Sequence, residues 1–126
     1  MIERISDIAI ILRSSHSKDG IEFLTPPDYP LQLGYMRRAA GYIVKPHVHT
    51  PVERQTFKTQ ESLFVRSGRI RVRLYDDDSV HIATRILYPL DVIHFSGGGH
   101  GIEFMEQSEI VECKSGPHVA DDKRFI

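Results

Sequence analysis

Residues 69–75 alternate without a break, with Ile70, Val72 and Leu74 separated by Arg69, Arg71 and Arg73. Side chains of an extended chain point to opposite faces in turn, so this stretch is a strand with one apolar and one basic face. A helix would scatter the same residues around its axis. Sheets with one apolar face must bury it against another layer, and 126 residues suffice for one such core but not for two. The expectation is a single all-β domain over residues 1–126.

The neighbouring stretches carry the same signal. Glu61–Val65 leads into Arg69–Tyr75 through Ser67-Gly68 and reads with it as a hairpin. Asp76-Asp77-Asp78-Ser79 is the next turn. Its three adjacent carboxylates lack the alternating ligand pattern of a calcium loop, and the expectation is a solvated turn. Val80–Leu87, Val92–Phe95, Ile102–Met105 and Ile110–Cys113 complete the strands, a density that points to a barrel or sandwich. Nearer the N-terminus, Ile2, Ile5, Ile8 and Leu12 have helical spacing, while Ile8–Leu12 is also a compact β-branched run. The turn-rich Ser14–Gly20 that follows favours a strand. Ile21–Leu24 and Leu31–Met36 are further strand candidates, and Thr50–Gln60 reads as a loop.

Composition narrows the function classes. With 16 basic and 17 acidic residues the chain lacks the basic excess of a nucleic-acid or membrane-surface protein. The lone Cys113 fits a reducing compartment and reads as a small buried residue. Met1-Ile-Glu-Arg does not begin a secretory signal, and Ile8–Leu12 is too short to cross a bilayer, so a cytoplasmic protein is expected.

The chemistry gathers around Gly41–His49. Read as an extended strand, this stretch projects His47 and His49 to the same side, two imidazoles that lack only a carboxylate and one further donor to hold a metal. Glu61 and His100, at the head of one strand and the end of a glycine turn, are available. Pro46 removes a ladder donor and places this stretch at an edge, a bulge or a corner. Lys45 shares parity with His47 and is a candidate anion contact, and Glu103 is a candidate acid–base group. Histidines 16, 81 and 118 read as surface residues, and His94 as a packed or exposed one. Gly97-Gly98-Gly99 does not match a phosphate loop and serves to turn the chain towards His100.

The order Gly41, His47, His49, then Glu61 and Gly68, then Leu90–Phe95 with a glycine turn before His100, resembles the two sequence motifs of the cupin superfamily over about residues 30–113. It departs from them in two places. Eleven residues separate His49 from Glu61, an insertion, and Gly97–Gly99 replaces the proline usual before the second turn. The resemblance implies a jelly-roll β-barrel, a homodimer, and one divalent transition metal (Zn, Mn, Fe or Ni) on His47, His49, Glu61 and His100. It leaves three functions open. One is a metal-dependent enzyme acting on a small polar metabolite; the chain resembles small bacterial cupins, some of which are associated with sugar and surface-polysaccharide pathways. The others are a non-catalytic metal-containing sensor and a metal-independent sugar-nucleotide isomerase or epimerase. The insertion also raises a choice of carboxylate. Glu53 has the usual distance from His49 and Glu61 the usual distance from Gly68. The strand entering a tight turn tolerates no slip, so Glu61 is the expected ligand.

Overall fold

A computed structural model of the chain describes residues 1–120 and 122–126. Its described elements are ten strands: β1 (Ile2–Ile5), β2 (Ala9–Leu12), β3 (Gly20–Phe23), β4 (Gly34–Arg37), β5 (Glu61–Ser67), β6 (Ile70–Tyr75), β7 (His81–Leu87), β8 (Val92–Phe95), β9 (Gly99–Phe104) and β10 (Glu109–Lys114). All pair antiparallel. Among the described residues no helix is long and apolar enough to cross a membrane.

The strands form a five-stranded sheet ordered β1-β2-β8-β5-β10, a three-stranded sheet ordered β7-β6-β9, and a separate β3-β4 ribbon. The two larger sheets share one core. Ile11, Leu63, Val65, Ile93 and Phe95 come from the first, and Ile70, Val72, Leu74, Ala83 and Leu87 from the second. Full burial of each such side chain contributes about 1.5–3 kcal/mol, so this interface between layers carries most of the stability. Among the described residues no strand pairing closes the sheets into a barrel, and the all-β class is what the strands establish.

The alternation of β6 behaves as its sequence dictates. Its apolar residues are fully buried, while Arg71 and Arg73 on the opposite face are ion-paired with Glu103 of β9. The expected hairpin between β5 and β6 does not form. β5 pairs with β8 and β10, and β6 with β7 and β9, so the chain crosses from one sheet to the other at Gly68. This crossing lets Leu63 and Val65 face Ile70 and Val72 across the core instead of lying beside them in one sheet. It requires glycine: φ is +83°, and a Cβ there would overlap the Ser108 side chain and lie 2.6 Å from the Gln107 carbonyl oxygen.

The stretch from residue 38 to 60 contains no strand, in place of the extended strand expected around His47 and His49. Pro46 and Pro51 each remove a ladder donor, and among the described residues no strand pairs with this stretch. Cys113 is exposed, not buried, because β10 is the outermost strand of its sheet. His16, expected at the surface, is largely covered and bonded to Glu22 at 2.6 Å. The Asp76–Ser79 turn is closed locally, with the Asp76 carboxylate accepting from the backbone of Asp78 and Val80.

Candidate functional site

Glu61 opens β5 on the same face as Leu63 and Val65, at the point where that face leaves the core. It lies opposite Phe95 of β8 and Lys114 of β10. His100 stands opposite Leu74 on β9, in the other sheet. The two side chains meet across the open end between the sheets, where the His100 Nε2–H donates to Glu61 Oε1 at 2.7 Å. The His100 ring stacks on Phe95 with centroids 3.9 Å apart and planes 9° from parallel, which fixes its orientation. The glycine turn before it works through Gly98. This residue has φ +59°, and a Cβ would overlap the Tyr75 carbonyl and lie 2.8 Å from Ile8 Cδ1. The Gly98 N–H is tied to Asp77.

A second carboxyl group completes this cluster. The hydrogen bond from His100 holds the Glu61 carboxyl far down, at about 2 from 4.5, against the opposing effect of burial. Glu112, on β10, shares a hydrogen bond with Glu61, and that bond pushes its own pKa up. At this end of the sandwich the Glu61 carboxylate is held ionised beside an imidazole, and the neighbouring Glu112 is shifted in the opposite sense. Lys114 and Lys123 add positive charge beside Glu112. Only the register of β10 on β5 brings Glu112 here, because Leu63 opposes it and Glu61 is its diagonal neighbour. No local motif announces it.

The other expected ligands form a pair of their own. His47 and His49 are exposed, with ring centroids 5.2 Å apart. The His47 Nδ1–H donates to the Lys45 carbonyl at 2.7 Å, which fixes the tautomer and leaves Nε2 with a free lone pair. Such a backbone bond is how metal-binding imidazoles are usually oriented. The structure thus brings Glu61 to His100 and His47 to His49, but does not unite the two pairs. Among the described residues, no three or more His, Cys, Asp or Glu side chains are grouped so as to hold a metal ion. Glu53 and Lys45 are exposed on the same segment as the histidine pair. Glu103 is engaged by Arg71 and Arg73 on the outer face of the three-stranded sheet, away from the mouth.

His94 is packed. It is fully buried on the outer face of the five-stranded sheet, where burial pushes its pKa down and keeps the ring neutral. Its Nδ1 accepts from the Ser62 hydroxyl at 2.8 Å, and its Nε2–H donates to Gln60 Oε1 at 3.1 Å. The Gln60 amide in turn donates to the Ser96 carbonyl at 3.3 Å.

No family model, no curated protein and no solved structure matches this chain.

Proposed function

We propose that this protein is a small cupin-type metalloprotein that binds one divalent transition metal and acts on a small polar metabolite. The observation that carries the reading is the Glu61–His100 pair, a carboxylate and an imidazole from different sheets held 2.7 Å apart at a partly exposed end of the sandwich. The donor chemistry fits zinc, manganese, iron or nickel, all of which accept imidazole nitrogen and carboxylate oxygen. Glu61 and His100 would hold the ion on the rigid side, and His47 and His49 on the side of the 38–60 segment. A complete shell requires that segment to bring its pair to the mouth. Once bound, the metal would supply Lewis-acid polarisation of a ligand oxygen, or redox chemistry if it is iron or manganese.

The chain's own groups have separable tasks. Glu61, ionised throughout the neutral range, is an anionic donor that needs no prior deprotonation. Phe95 keeps the His100 ring from rotating away. Glu112, whose pKa is pushed up by its bond with Glu61, is the second carboxyl group beside the pair.

The test is elemental analysis of untagged protein. About one metal per chain is expected, reduced at least about tenfold in affinity by His49→Ala or His100→Ala. Undiminished metal in both variants would remove the assignment. A second reading rests on the same cluster: an imidazole, a carboxylate and a carboxyl group in one mouth can run acid–base isomerisation or epimerisation of a sugar nucleotide without metal. Turnover that survives exhaustive chelation and vanishes in His100→Ala would favour it. We also propose a homodimer. The outer face of the β3-β4 ribbon exposes Ile21, Phe23 and Met36, and among the described residues neither edge of the ribbon is paired with another sheet. Light scattering measures the mass directly.

A further inference from the structure

A depression of mixed lining lies apart from the Glu61–His100 pair. It is a cleft of about 860 Å³ between the β1–β2 turn, the 24–33 loop and the end of the segment leading into β5. That volume falls within the range of small-molecule sites, roughly 300–1,000 Å³. Two cations, Arg54 and Lys58, come from one side of it, and two carboxylates, Asp7 and Asp28, from separate loops. Among the described residues none of these four forms an ion pair. Elsewhere on the surface several charges are paired, as in Arg71 with Glu103 or Arg85 with Glu3. Four unpaired charges of both signs in one concavity are poised to meet a ligand of mixed chemistry.

Part of the lining is fixed. Gln60 is buried, with its amide oxygen taken by His94 and its amide nitrogen bonded to the Ser96 carbonyl. Tyr29 lies parallel to the His94 ring, 18° apart in plane with centroids at 6.2 Å, and offers an aromatic wall. The Lys58 ammonium lies 3.8 Å from where a Cβ on Gly97 would stand, so the glycine leaves the lysine room beside the backbone.

We propose that this cleft binds a phosphorylated sugar. Arg54 and Lys58, four residues apart, suit a phosphate, the group that gains most from paired cationic donors. Asp7 and Asp28 accept from hydroxyl groups, and Tyr29 faces the apolar side of a ring. Inorganic phosphate would use only the cationic half and an uncharged sugar only the other. The volume also exceeds what a free amino acid needs, although its two charges would match. None of these residues is a proposed metal ligand, but Arg54 and Lys58 lie on the segment that would carry His47 and His49 to the mouth, so the cleft belongs to the metal-free chain.

The experiment is calorimetric titration of the full chain, in the presence of chelator, with glucose 1-phosphate, glucose and inorganic phosphate in separate runs. Glucose 1-phosphate is expected to bind, with phosphate and glucose each about tenfold weaker or more. The double variant R54A/K58A should lose at least about tenfold in affinity, and Asp28→Asn several-fold, while E61Q binds as the wild type does. Arg54 and Lys58 are exposed, so a melting temperature unchanged in R54A/K58A shows that the fold is intact. No heat from glucose 1-phosphate at millimolar concentration overturns the proposal. So does phosphate binding as tightly as the sugar phosphate, which would make the cleft an anion patch only. Binding abolished in E61Q and kept in R54A/K58A would place the ligand in the other mouth and equally overturn it.

Discussion

Glu61→Gln isolates the ionic part of the mouth, because glutamine keeps an oxygen for the His100 N–H and removes only the charge. In metal-free protein the Glu61 pKa falls from 4.5 to about 2 on folding, chiefly through the bond from His100. A carboxyl group whose pKa is lowered on folding contributes stability that is present above its unfolded value and lost as pH drops towards its folded one. At about 1.4 kcal/mol per tenfold change in acidity the full displacement would be worth about 3 kcal/mol. Two factors reduce it. The side chain is 16% exposed, and Glu112 moves in the opposite sense, contributing stability below 4.5 that is lost as pH rises. A net value of about 1–2 kcal/mol remains. Urea unfolding in chelator, followed from pH 7 to pH 2, should therefore show the wild type losing about 1–2 kcal/mol more than E61Q below pH 4.5. With urea slopes of about 1–3 kcal/mol per molar, the midpoints should separate by roughly half a molar to one molar at pH 7 and converge near pH 2. Parallel pH profiles for the two proteins would refute the bond on which the site is built.

Three further outcomes follow from single contacts. Asp91→Ala should cost about 3–5 kcal/mol in urea unfolding, since Asp91 is 2% exposed and accepts from Arg13 and from the backbone of Ser14 and Tyr88. Gly68→Ala should lower stability by about 2 kcal/mol or more, seen as a fall in melting temperature, because both the positive φ and the Ser108 side chain oppose a methyl group. Glu53→Gln should leave metal content at the wild-type level, where Glu61→Gln lowers affinity about tenfold or more. The reverse result, read by elemental analysis, would mean that the exposed segment supplies the carboxylate.

The strands were legible where the pattern was unambiguous, and their partners were not. β6, β8 and β10 lie within a residue or two of the stretches that alternation marks. The pairing of β5 with β6 was misread because two alternating arms joined by Ser67-Gly68 suit a hairpin and a sheet-to-sheet crossing equally well. What decides between them is that both apolar stripes must face one core, a property of the whole fold. The candidate site shows the same division. Glu61 and His100 were singled out from the sequence and do meet. Glu112 was not, because its place depends on a strand register that no local pattern encodes. Cys113 was misread for a related reason. Cysteine is among the residues most often buried, and only its position on an outermost strand makes it exposed.

The separation of the two donor pairs has an energetic answer. Bringing His49 to Glu61 closes a loop of eleven residues, which costs about 2 kcal/mol in chain entropy plus a constant. Coordination of a structural zinc by a complete shell releases roughly 10–16 kcal/mol in small peptides. The gain exceeds the cost several-fold even if half of it is spent on ordering the segment. Metal uptake and docking of the segment are therefore expected to be one event. Residues 41–52 are exposed and lack secondary structure, so their amides should exchange with deuterium almost freely in chelator. With one equivalent of zinc they should become protected in the wild type. In a Glu61→Gln, His100→Ala double variant, zinc held by His47 and His49 alone has nothing to dock against, and the segment should stay unprotected. Metal bound at full stoichiometry with no slowing of exchange over residues 41–52 would show that the histidine pair works apart from the mouth, and that only Glu61, His100 and groups from elsewhere form the centre.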